Sequence, residues 1–98
     1  VKGYAFLEPA RDELAEAVEF YNDRRSGLGD DLAAEVERAI DRVLHSPRAC
    51  PQVSANVRRC HVPRFPYGLL YQIRGQEILI VAVMHSRRDP EYWKERLS

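Results

Sequence analysis

Ile78-Leu79-Ile80-Val81-Ala82-Val83-Met84 is apolar at every position. Seven residues suit a strand and fall far short of the ~18 that mark a membrane span. A strand apolar on both sides demands cover on both faces of its sheet. Just before it, Arg74-Gly75-Gln76-Glu77 fits a two-residue hairpin with glycine at the first central position, as in a type II′ turn. That turn pairs 77–84 with a strand at 68–74, and a third strand signal lies at 57–62.

The N-terminal half supplies the first cover. Tyr4 and Phe6 alternate with small or polar neighbours over residues 3–8, which suggests a short strand. Pro9 suits a first helical turn, and Asp12 and Glu13 favour the positive end of a helix. Ala10, Leu14, Ala17, Val18 and Tyr21 then recur at helical spacing, which turns Glu13, Glu16 and Asp23 toward water. Arg24, Arg25 and Gly27 close this helix. A second opens at Gly29-Asp30-Asp31, runs through Leu32, Val36, Ala39, Ile40, Val43 and Leu44, and stops at Ser46-Pro47. So short a connection makes the pair an antiparallel αα-hairpin. Residues 47–56, polar and proline-containing, read as a loop. The expected fold over residues 1–98 is one α+β domain: an N-terminal strand, the αα-hairpin, a three-stranded antiparallel meander completing one sheet, and a short C-terminal helix begun by Pro90. The helices cover one sheet face, and that last helix or a partner chain covers the other.

Composition narrows the function classes. The formal net charge is zero, yet residues 1–46 hold six basic against eleven acidic side chains and residues 47–98 nine against four. Eight of the latter nine are arginine, whose fork grips phosphate and carboxylate, so the C-terminal half reads as a basic binding surface. Cys50 and Cys60 are too few for a disulfide framework and are expected as free thiols. With His45 and His61 they match no zinc spacing, so neither metal nor cofactor is expected. The opening Val1–Glu8 is too briefly apolar for a secretory signal, which points to a cytoplasmic chain with no membrane contact.

Phe65-Pro66-Tyr67, Tyr71, the apolar strand and His85-Ser86-Arg87-Arg88-Asp89-Pro90-Glu91-Tyr92-Trp93, in this order after an αα-hairpin, resemble the RelE/ParE superfamily of bacterial toxins. Phe-Pro-Tyr and His-x-Arg-Arg-x-Pro-x-Tyr-Trp look closer to its ParE-like side. The resemblance implies the toxin of a type II toxin–antitoxin (plasmid stabilisation) system, neutralised by a cognate antitoxin whose C-terminal segment folds over the exposed sheet and arginines.

Two mechanisms follow from the resemblance. A ParE-like toxin is implied to bind DNA gyrase without chemistry of its own, through a charged, shaped surface to which Arg59, Arg88, Trp93 and Arg96 would contribute for target or antitoxin. A RelE-like toxin is implied to cut mRNA on the ribosome. Arg64 and Arg87 would then stabilise the phosphorane, His85 would be the titratable group with His61 a weaker candidate, and Tyr92 or Trp93 would match the C-terminal tyrosine. Lys2 and Lys94 are the only lysines, a departure from the lysine-rich nuclease branch. A protein-interaction module of the same fold without toxicity is the third class. Each residue also has an ordinary use: His85 as a sheet cap, Arg64 in holding a loop, Arg87 and Arg88 in surface ion pairs, Trp93 in the core.

Overall fold

In the computed structural model, which describes residues 2–97, the apolar segment runs through a five-stranded sheet. Val1 and Ser98, the ends of the expected 1–98 domain, lie outside the described residues. The segment forms β5 (Glu77–His85) and pairs antiparallel with β4 (Tyr67–Arg74), which pairs antiparallel with β3 (Val57–Val62). Gly75, at φ 60°, makes the β4–β5 turn. The order across the sheet is β1-β5-β4-β3-β2, with β1 at Gly3–Phe6 and β2 at Gln52–Ser54.

Two corrections belong together. Residues 47–56 are not all loop, because β2 pairs antiparallel with β3, and β1 joins β5 in parallel, so the sheet is mixed.

Helices α1 (Glu8–Arg24) and α2 (Leu28–His45) pack on one sheet face. Ala10, Ala17, Leu32, Val36 and Val43 bury against Val62, Leu69, Tyr71, Ile78, Ile80 and Val83. The helices approach closely at Gly29, where a Cβ would stand 2.0 Å from the Val18 carbonyl oxygen. Asn22 accepts the Gly29 N–H at 2.8 Å, fixing the crossing. Gly27 adopts φ 89° as the residue that opens α2, rather than closing α1, whose C-cap is Arg25.

The second face is covered by the chain itself. Trp93, only 2% exposed, packs with Val57, Leu70, Val81, Ala82 and Met84, flanked by Tyr92 and Leu97. A β-bulge sets two successive β5 residues on this side, since Tyr71 pairs with Ile80 and Leu70 with Ala82, leaving Val81 as the extra residue. The covering segment is not the helix expected from Pro90; turns run through Trp93 and only Lys94–Leu97 form a 3-10 helix. Among the described residues, no helix is long and apolar enough to cross a membrane.

The free-thiol expectation is also overturned. Cys60 faces the helices from β3, and the loop after α2 brings Cys50 over it, so the two form a disulfide with Cα atoms 5.4 Å apart. Closing so short a loop restricts the unfolded chain, for about 2–3 kcal/mol of stabilisation. Adding reductant is therefore expected to lower the Tm of the oxidised chain toward that of a Cys50→Ser/Cys60→Ser variant. Identical Tm values with and without reductant would count against this contribution.

Candidate functional site

Beyond Phe6 no strand continues along the outer edge of β5, and two side chains take over. Val83 N–H donates to Glu13 Oε1 at 3.0 Å, while the Val81 carbonyl accepts from Arg96 Nη1 at 3.0 Å. Arg96 grips Glu13 with both terminal nitrogens, at 2.9 and 2.8 Å, and the Tyr92 hydroxyl donates to Glu13 Oε2 at 2.6 Å. Glu13, expected to face water, is thus largely buried and has four donors. Burial pushes its carboxyl pKa up, but the hydrogen bonds from Arg96, Tyr92 and Val83 and the Arg96 charge outweigh that and hold it low. Burial, then Glu13, drives the Tyr92 pKa well above its usual value, so its hydroxyl stays a donor. The sequence carried the signal: Glu13 lies three residues after Ala10 and four before Ala17, on the buried side of α1.

Above this lock lies a cleft of about 260 Å³ with Glu13, Phe20, Tyr67, His85, Arg88 and Tyr92 in its wall. Tyr67 and His85 are register partners at the ends of β4 and β5, and their rings meet edge to face at 5.1 Å. Burial, with Tyr21 and Glu13 adding to it, raises the Tyr67 pKa. His85 Nδ1 accepts the Arg87 backbone N–H at 3.0 Å. That bond assigns the neutral ring its proton at Nε2, so its one lone pair is used by the turn. The Arg88 guanidinium lies 3.9 Å over the Tyr92 ring in a cation–π contact, and the residue is exposed. Phe20, 47% exposed, borders the cleft with Arg24 stacked 4.2 Å from its ring centre.

Of the residues singled out from sequence, His85, Arg88 and Tyr92 come together here. Arg96 sits beneath them in the lock. Arg87 is exposed on the adjoining turn, its side chain without a partner among the described residues. Trp93 is a core residue whose indole N–H donates to the Pro90 carbonyl at 2.6 Å. Arg64 lies outside the cleft, at φ 72°, reaching Glu35 at 3.3 Å and Asp31 at 3.5 Å on α2. Hydrogen bonding from Arg38, opposed by burial and aided by Arg64, holds the Glu35 pKa low. Arg59 lies over Gly68 on the face opposite the helices. Its Nε is buried without a partner, and a Cβ at Gly68 would stand 2.1 Å from it. His61 is exposed. Among the described residues, no three His, Cys, Asp or Glu side chains converge as metal ligands.

Replacing Glu13 by Gln is expected to lower stability by about 1–3 kcal/mol near neutral pH, since all four of its charge-assisted bonds are weakened or lost. The folded carboxyl pKa lies below its free value of 4.5. Its stabilisation is therefore present above that value and lost as pH falls through the folded one. The Tm values of wild type and variant should converge on acidification. A gap independent of pH would contradict the lock.

Comparison with known proteins adds three findings. The family model described as "ParE toxin of type II toxin-antitoxin system, parDE" matches residues 4–90. A solved chain of the chromosomal ParDE toxin–antitoxin system from P. aeruginosa superimposes with a TM-score of 0.62 at 16% identity, covering 85% of this chain and 94% of that one. At that identity the likeness speaks for the fold. No curated protein is a significant sequence match.

Proposed function

The chain belongs to the ParE toxin family of type II toxin–antitoxin systems, and from that premise we propose that it arrests growth by binding DNA gyrase, without chemistry of its own, until a cognate antitoxin neutralises it. The observation that carries this reading is that three of the four groups a nuclease would draw on, His85, Tyr92 and Arg64, are engaged within the fold, while Arg87 stays exposed. The His85 Nδ1 lone pair is taken by the Arg87 N–H, the Tyr92 hydroxyl by Glu13, and Arg64 by Asp31 and Glu35. A general base needs an available lone pair, and a phosphorane needs cations not already neutralised. Arg87 and Arg88 remain presented on an exposed turn, pinned where the Ser86 N–H donates to the Pro66 carbonyl at 2.8 Å. That suits recognition of a partner by arginine.

The antitoxin would use the same rim. Phe20 offers an apolar anchor between Arg24 and the cleft, and Arg87 and Arg88 offer charge, a pattern matched by an acidic amphipathic segment that folds on binding. Gyrase as target would have the chain act in the cytoplasm, where the Cys50–Cys60 bridge would be exposed to reduction.

The test pairs a purified gyrase supercoiling and cleavage assay with transcript-end mapping after brief induction. Gyrase-linked DNA breaks without new transcript ends are expected. An Arg87→Ala/Arg88→Ala variant should lose roughly tenfold or more in gyrase inhibition while its stability stays within about 0.5 kcal/mol of wild type. Codon-phased transcript ends that vanish in an Arg64→Ala/His85→Ala/Arg87→Ala variant would overturn the proposal in favour of mRNA cleavage. Full growth with both targets untouched would leave an interaction module.

A further inference from the structure

A polar cavity lies at the other end of the sheet from His85. There the loop after α2, the β2–β3 turn and the last residues of β4 surround about 580 Å³. Three arginines line it: Arg48, Arg58 and Arg74. Among the described residues no carboxylate is in its wall and none of the three forms an ion pair, unlike Arg38, Arg64 and Arg96. Their only side-chain partners are neutral. Arg58 donates to the carbonyls of Arg48 and Cys50 at 3.0 and 2.8 Å, and Arg74 Nε donates to Gln72 Oε1 at 2.8 Å. In a chain of zero net charge, three neighbouring guanidiniums with no ion-pair partner among the described residues concentrate positive potential.

The cleft is also held in shape. Arg58 is fixed by the two carbonyls beside the Cys50–Cys60 bridge, and Gln72, 9% exposed, orients Arg74. Gln52 and Asn56 add amides to the wall. What the wall lacks is equally informative. Among the described residues no aromatic ring lines it, so they offer no platform for stacking a base and no anchor of the kind that dominates peptide docking. Arginine forks and amide donors around an open polar cleft match tetrahedral phosphate oxygens.

We propose that Arg48, Arg58 and Arg74 form a binding site for phosphates of a nucleic-acid backbone, read without regard to base sequence. This site is separate from the His85 cleft and does not rest on the gyrase reading. Its ligand engages by charge and hydrogen bonds, so affinity falls steeply with salt, and thymine and mixed-sequence oligonucleotides bind alike.

The experiment is fluorescence anisotropy of labelled oligothymidylate and of a short mixed-sequence duplex with the full, oxidised chain across a salt series. An Arg48→Gln/Arg74→Gln variant is expected to lose about tenfold in affinity with a shallower salt slope. An Arg11→Gln/Arg25→Gln variant, which removes the same charge from exposed positions on α1 and at its C-cap, outside the cleft, should change little. In the wild type, side-chain amide resonances of Gln52, Asn56 and Gln72 should shift on adding oligothymidylate, a readout independent of how any variant folds. Equal losses in the two variants, shifts confined to other amides, or binding to phosphatidylglycerol vesicles without binding to either oligonucleotide would overturn the proposal.

Discussion

One carboxylate holds the two halves of this molecule together. Glu13 projects from α1 onto the stretch of β5 that β1 fails to reach, and accepts from a strand amide, a tyrosine hydroxyl and a bidentate arginine. Arg96 completes the arrangement by donating to the neighbouring strand carbonyl. Together they do for the open edge of β5 what another strand would do: they satisfy backbone groups that would otherwise be left wanting. Because Tyr92 and Arg96 flank Trp93 in sequence, the same contacts press the indole onto Leu70, Val81 and Met84. Sheet edge, second sheet face and the wall of the His85 cleft thus share one anion.

Much of the fold was legible because it is written in local pattern. The strand at 57–62, the β4–β5 turn with its positive-φ glycine and both helices lie within a residue or two of where periodicity and turn chemistry place them. What local pattern left out were choices made across the chain. Gln52-Val53-Ser54 is too short to signal a strand by pattern and shows itself only by pairing with the edge of β3, and the parallel pairing of β1 with β5 is likewise made across the chain. Cys50 and Cys60 look like spare thiols until α2 and β3 are packed, whereupon their Cα atoms fall within bridging distance.

The candidate site was legible in kind but less so in grouping. A sequence shows that His85, Arg88 and Tyr92 are near one another in the chain, and the cleft keeps them together. It does not show that Arg64, in a left-handed backbone conformation just before β4, turns its charge to Asp31 and Glu35 on α2. Nor does it reveal that the acidic face of α1 contributes its most buried member to the C-terminus. Arg58 and Arg59 separate as strand geometry requires, one toward the loop after α2 and the other over Gly68 on the opposite face. Only the first joins the arginine cleft at the far end of the sheet.

The C-terminal segment does two jobs, and their energetics bear on how a partner can use it. A partner seeking the second face of the sheet would have to lift Trp93 from its pocket, at a cost of about 3–5 kcal/mol by analogy with large-to-small changes in a core, and would also open the Glu13 lock. A partner that instead docks on the rim meets Arg87 and Arg88 already presented by a turn whose hydrogen bonds to His85 and Pro66 fix it. The second route spends no binding energy on disrupting the fold, and a turn whose backbone is already fixed loses less entropy when it engages. Rim recognition is therefore the less costly mode, and it strengthens the lock, since a ligand that grips the Arg88–Tyr92 pair in its folded geometry stabilises that geometry by mass action.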